Sequence, residues 1–146
     1  ILIILKYTMV KEFRGEYAWL SNFTSVPIVL DGMQYSSVEH AYMSAKSKDN
    51  AWKELCASSI SAGQIKQKSY HIIIRADWER IRVDIMRECL KQKFSQNPYK
   101  KLLINTGDEH IQEGNNWNDR FWGVCLKTNK GENTLGKLIM EIRATL

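Results

Sequence analysis

Glu39, His40 and Lys46 place an acid, an imidazole and an amine inside the short run SSVEHAYMSAK, residues 36–46. On a helix, Glu39, Met43 and Lys46 fall at i, i+4 and i+7, a stripe distinct from the apolar Val38, Ala41, Tyr42 and Ala45. Seven residues rise roughly 10.5 Å, so Glu39 and Lys46 face the same way without a ready ion pair. One ligand lying along the helix could meet both. The same residues also have a purely structural use, because Ser36 and Glu39 satisfy the S-x-x-E capping box and Lys46 can be a solvated charge. His40 lies about 100° around the helix from Glu39 and is expected to be structural.

Other runs carry groups suited to a nucleotide-like ligand. FRGEYAWLSNF, residues 13–23, mixes Trp19 and other aromatics with Gly15, Ser21 and Asn22. Such a loop can stack on a base while its amides bind sugar oxygens, although Trp19, Leu20 and Phe23 could equally seal a core. NNWNDRFWG, residues 115–123, sets Asp119 and Arg120 between Trp117 and Trp122. Two indoles can sandwich a planar heterocycle while a carboxylate accepts a proton or contacts a ribose hydroxyl. In GENTLGK, residues 131–137, glycines meet a helix start whose free N–H groups and dipole favour a phosphate, and an Asn cap accounts for the same residues. The sequence holds no P-loop, G-x-G-x-x-G, G-x-S-x-G or H-E-x-x-H, which disfavours the enzymes those patterns mark.

These groups need elements to hold them. VPIVLDGMQY, residues 26–35, predicts a hairpin with a type I′ turn at Asp31-Gly32. A helix of about ten residues should follow from the Ser36 cap, then a second over roughly 50–57 and a third opened by the Ser61/Gln64 capping box. Asp77 can cap a longer helix from Trp78 to about Phe94, with Ile81, Ile85 and Cys89 or Leu90 inward. Pro98 suits the first turn of a helix ending near Gly107. Residues 110–126 show no helical period and read as strand and loop. Asn133 or Thr134 can cap a last helix with Leu135, Leu138, Ile139 and Ile142 on one face. The expected fold is α+β, mostly helical, with a small antiparallel sheet.

Within 146 residues there is no repeat, low-complexity run or linker, so a single compact domain over 1–146 is expected. The opening ILIIL is too short to span a membrane and lacks the basic start and cleavage site of a signal peptide. Either residues 1–8 are an extension ahead of Met9, or Ile1 to Leu5 form an edge strand. Cys56, Cys89 and Cys125, odd in number and without a C-x-x-C pair, fit a reducing compartment such as the cytoplasm and offer no zinc site. A formal charge of +5 suits an anionic partner, and an excess of this size is as often a solubility feature.

Taken together the runs resemble the YbiA-like, or NADAR, family. The matching residues are Phe13 and Gly15 with Leu20-Ser21-Asn22-Phe23, then Ser37-Val38-Glu39-His40 with Lys46, then Asp77-Trp78 leading to Met86, Lys93 and Phe94. They continue with Asn118-Asp119, Trp122-Gly123, Gly131, Asn133, Leu135-Gly136, Met140 and Arg143, in the family's order. The resemblance implies a YbiA-like fold and an N-glycosidase that needs no metal or cofactor. Its substrate would be a phosphorylated nucleoside or ADP-ribosyl small molecule, or ADP-ribosylated nucleic acid. One branch of the family cleaves early riboflavin-pathway intermediates, releasing ribose 5-phosphate; another removes ADP-ribose from modified guanine.

By the same resemblance Glu39 stabilises the positive charge that builds on the sugar while orienting water or a ribose hydroxyl. Lys46 either holds a phosphate or, as the preferred role, attacks C1′ of an opened sugar. Asp119 binds a hydroxyl or assists the leaving base. Trp122, with Trp19, stacks the base, and Asn22, Gly123, Gly131, Asn133 and Arg143 complete the substrate contacts. Glu39 should then face a cleft near Trp122, and a solvent-exposed Glu39 far from that ring would count against this role. Val124-Cys125-Leu126 stand where riboflavin-type members carry an acidic residue and further glycines, which weakens transfer of that specificity. The competing readings are a non-catalytic nucleotide-binding module and a nucleic-acid binder; the latter lacks a concentrated Lys/Arg stripe.

Overall fold

The protein is described by a computed structural model over residues 9–146, so both readings made for residues 1–8 lie outside the described residues. The elements in chain order are β1 (Met9–Val10), β2 (Ser25–Leu30), β3 (Met33–Ser37), α1 (Val38–Ser44), α2 (Asn50–Ala57), α3 (Ala62–Lys68), α4 (Trp78–Phe94), α5 (Tyr99–Asn105), β4 (His110–Ile111), β5 (Gly114–Asn115), β6 (Val124–Cys125) and α6 (Thr134–Arg143). Short 3-10 turns cover Gly15–Leu20 and Ser69–His71. The chain divides into two compact units, Ser21–Lys100 and the chain up to Leu20 together with Lys101–Leu146.

In the Ser21–Lys100 unit, β2 and β3 pair antiparallel across Asp31 and Gly32, whose φ angles of 50° and 78° are those a type I′ turn requires. Alternation along β2 turns Val26, Ile28 and Leu30 inward. Pairing continues to Ser37, opposite Ser25. The strand therefore takes up Ser36, and α1 starts one residue later than the S-x-x-E pattern predicts. Ser37 is the N-cap, and its hydroxyl accepts from the His40 N–H at 3.1 Å. Glu39 is thus released from the capping role.

A seven-residue helix has little stability of its own. α1 is instead enclosed by the hairpin, α2, α3 and α4, and every one of its side chains is buried. α3 opens with the expected capping box between Ser61 and Gln64. At α4 the expectation needs correcting: Asp77 makes no capping bond, because Arg75 clamps its carboxylate at 2.6 and 3.1 Å. The buried face of α4 is Trp78, Met86, Cys89, Leu90, Lys93 and Phe94, while Ile81 and Ile85 are half-buried. Packing against both β2 and α1 turns the inward stripe away from those two isoleucines.

In the other unit β1 pairs with β4 and β5 with β6, both parallel, so the expected antiparallel sheet is the β2–β3 hairpin and two parallel pairs are added to it. α6 buries Leu135, Leu138, Ile139 and Ile142, as the spacing predicts. Asn133 occupies its N-cap position without a capping bond. Its side chain instead donates to the Ile111 carbonyl and accepts from the Glu113 N–H, each at 2.9 Å. The whole is a mixed α+β fold. Cys56, Cys89 and Cys125 are buried free thiols, and no helix among the described residues is long and apolar enough to cross a membrane.

Candidate active site

Three expected site residues, Asn22, Glu39 and Lys46, belong to the Ser21–Lys100 unit. Glu39 is only 6% exposed. Burial pushes its carboxyl pKa up, and the positive fields of Lys66 and Lys46 draw it partly back. Lys46 lies just past the last turn of α1, its N–H donating to the Met43 carbonyl at 3.2 Å, and its own carbonyl accepts from the Arg75 N–H at 2.8 Å. Burial pushes the Lys46 pKa down; Glu39 opposes that shift, while Lys66 and Arg82 reinforce it. The ammonium sits 6.0 Å from the centre of the Tyr42 ring, which packs on Trp78 at 5.0 Å. The site therefore holds an acid made less acidic and an amine made less basic.

Asn22 adjoins the start of α1. Its carbonyl accepts from the Glu39 N–H at 3.0 Å, and its side-chain amide donates to Met86 Sδ at 3.7 Å. Its Oδ1 is buried and has no hydrogen-bond partner among the described residues. Leaving such an acceptor unmet costs about 1–3 kcal/mol, and a sugar hydroxyl is a donor that would satisfy it.

Lys66 and Arg82 join this group without having been singled out from sequence. Lys66 lies on α3 with Nζ 6.0 Å from the Phe23 ring, and Arg82 on α4 pairs with the exposed Glu79 at 3.2 Å. Both helices pack on α1. Only that convergence brings Lys66, beside Lys46, into the field of the buried Glu39 carboxylate and Arg82 into the field of Lys46, a balance suited to a phosphorylated ligand. In the sequence their one trace is the general basic excess.

His40 is structural, as expected. Its Nε2 donates to the Ile60 carbonyl at 2.7 Å, which leaves Nδ1 to accept from the Ser37 hydroxyl at 2.6 Å. Among the described residues no group of three or more His, Cys, Asp or Glu is placed to hold a metal ion.

Trp19, Asp119, Trp122, Gly123, Gly131, Asn133 and Arg143 belong to the other unit. Asp119 Oδ1 accepts from the Phe121 and Trp122 N–H groups at 3.1 and 3.0 Å, which folds the turn that carries Trp122. Asn115, 1% exposed and not anticipated, brackets Asp119 from behind: its Oδ1 accepts from the Asp119 N–H at 3.0 Å and its Nδ2 donates to the Asp119 carbonyl at 2.9 Å. Trp122 and Trp19 are half-buried, Trp122 meeting Phe121 edge-on at 4.9 Å, whereas Trp117 is 56% exposed.

A side chain at Gly123 would collide with the Glu113 carboxylate and carbonyl, and one at Gly131 with the Gly123 carbonyl, so both glycines let backbone segments pass closely. The phosphate-binding expectation for GENTLGK does not hold as stated. The N–H groups of Glu132, Asn133, Thr134 and Leu135 donate to the carbonyls of Arg120, Gly123, Phe121 and Trp122 at 2.8, 3.2, 3.1 and 2.9 Å, so these amides at the start of α6 are already engaged. Arg143 Nη1 likewise ties α6 to the Thr106 hydroxyl and the Glu109 carbonyl at 2.9 and 2.8 Å. Gly131, Asn133 and the α6 start together hold the loop from Asp119 to Gly123.

The NADAR domain matches residues 9–146. N-glycosidase YbiA of Escherichia coli (strain K12) is 31% identical over 136 residues, covering 90% of this chain and 82% of that protein. Riboflavin biosynthesis protein VVA0006 of Vibrio vulnificus is 34% identical over 133 residues, covering 89% of this chain and 36% of that longer protein. The NMR structure of E. coli YbiA superposes with a TM-score of 0.80 at 27% identity, covering 97% of this chain and 89% of that one. With the family match running from Met9 to the last residue, the chain belongs to the NADAR domain family, whose relatives of similar length are named N-glycosidases, hydrolases of N-glycosyl bonds.

Proposed function

We propose that the protein hydrolyses the C1′–N bond of a phosphorylated ribosyl compound, either an early riboflavin-pathway intermediate or ADP-ribose carried on guanine. The observation that carries this reading is the buried Glu39 in the field of Lys46 and Lys66, with Arg82 acting in turn on Lys46. A carboxyl with a raised pKa can deliver a proton to the departing base nitrogen and later take one from water. A lysine with a lowered pKa has more of the free amine, which adds to the C1′=N double bond left when the sugar ring opens at C1′–O4′ with its oxygen leaving as a hydroxyl. The C1′–N bond then breaks with its electron pair going to the base. Water adds to the resulting lysine imine, returning the amine and the free sugar. Lys66 and Arg82 hold the phosphate, which leaves Lys46 for the sugar carbon, and Asn22 Oδ1 accepts from a sugar hydroxyl.

Trp122 and Trp19 against the base, and Asp119 on a hydroxyl or the leaving base, complete the proposal on the family pattern. Gly123, Gly131, Asn133 and Arg143 support it by fixing the loop and helix around them. The experiment is incubation with a riboflavin-pathway intermediate, ADP-ribosylated guanine DNA and NAD, followed by detection of released base. Glu39→Gln should abolish release while keeping the fold, and borohydride during turnover should fix the sugar on Lys46. Binding of these ligands with none of them cleaved would refute the proposal in favour of a non-catalytic binding module.

A further inference from the structure

We propose that Lys93 is a positioning residue for the site, holding the Ser21–Thr24 turn against α4 and through it setting the start of α1 and the Asn22 amide. The relevance to turnover rests on the N-glycosidase reading above, whereas the positioning itself does not. Lys93 is 0% exposed on the inward face of α4, and its Nζ donates to the Ser21 carbonyl at 2.8 Å. The ammonium lies 5.3 Å from the ring centres of both Phe94 and Tyr99. Burial lowers its pKa to about 7.

Stability alone gives no reason for an amine here. The Ser21 carbonyl already accepts from the Thr24 N–H at 3.1 Å, so an apolar side chain of equal length would leave no acceptor unmet. Among the described residues no carboxylate pairs with Lys93; burying an ammonium in this way is costly, and residues kept at such a cost are characteristic of functional sites.

The hydrogen bonds show what that cost supports. Within the turn, Phe23 N–H donates to the Ser21 hydroxyl at 3.1 Å. One residue along, the Asn22 carbonyl takes the Glu39 N–H at 3.0 Å, and the Asn22 amide reaches Met86 Sδ at 3.7 Å. Met86 and Lys93 are two turns apart on the same buried face of α4, so that helix grips the turn at two points. Both the Glu39 backbone and the unmet Asn22 Oδ1 are thereby referenced to α4.

The test uses Lys93→Met and Met86→Leu, both close in volume to the native side chains. Amide hydrogen exchange at Glu39 reports the turn without any substrate, and steady-state kinetics report turnover. In K93M the Glu39 amide should exchange at least about tenfold faster with α3 amides unchanged, and Tm at pH 6 should equal or exceed the native value. kcat should fall at least about tenfold with KM within about threefold, and M86L should move exchange and kcat the same way by less. Unchanged exchange at Glu39 overturns the proposal. So does a K93M chain that fails to fold or loses stability at pH 6, or one in which kcat and KM worsen together. Absence of turnover in the native protein would refute the proposed function and leave the exchange result to decide this one.

Discussion

Replacing Lys93 by Met should change how stability depends on pH, by an amount that follows from the burial of the amine. The Lys93 pKa falls from 10.5 to about 7 on folding. Taking 10.5 minus 7 as about 3.5 units at 1.36 kcal/mol each gives a penalty of about 5 kcal/mol, fully present below pH 7. Because the folded pKa is the lower one, the unfolded chain binds more protons between pH 7 and 10.5, and native stability must rise with pH across that window. Lys93→Met removes the titration. Its stability relative to the native protein should therefore fall by about 2–3 kcal/mol between pH 6 and pH 9, whatever constant difference the methionine introduces. Urea denaturation of both proteins at pH 6, 7.5 and 9, extrapolated linearly, measures it. A difference that stays constant across the three pH values would refute the reasoning.

Glu39 has the opposite sign: its folded pKa is raised, so native stability should fall as pH rises above the unfolded value near 4.5, and Glu39→Gln should lose that fall in thermal melts at pH 5 and pH 8. Lys66→Met and Arg82→Met should each raise KM for the phosphorylated substrate about tenfold, with kcat little changed and the effect gone on the dephosphorylated compound. Gly123→Ala should lower Tm by more than about 10 °C, since its methyl group would meet the Glu113 carbonyl and carboxylate; circular dichroism melts measure this.

Local patterns anticipated the elements well where the chemistry is local. The Asp31-Gly32 turn needs two residues tolerant of positive φ, and the Ser61/Gln64 box and the α6 apolar face are set within one or two turns of helix. They failed by one residue at Ser36 because cross-strand pairing of Ser37 with Ser25, a non-local term, decides where β3 ends. At Asp77 and Asn133 the residue types suit a cap, but Arg75 claims one side chain and the Ile111–Glu113 backbone the other. Glu39, Lys46 and Asn22 were legible from type and family pattern. Lys66 and Arg82 were not, since their partnership arises only when α3 and α4 dock on α1. Lys93 left a detectable sign, a cation interrupting the inward stripe between Leu90 and Phe94.

The His40 imidazole acts as a strut. One nitrogen is braced on the cap of α1 and the other on the Ile60 carbonyl, next to the serine that caps α3. The spacing between Glu39 and Lys66 is then governed by a rigid ring that needs no contact with substrate. Variation along the solvent side of α3 can accumulate without loosening the acid from its cations, and a change at His40 would uncouple them even if both charged residues were intact.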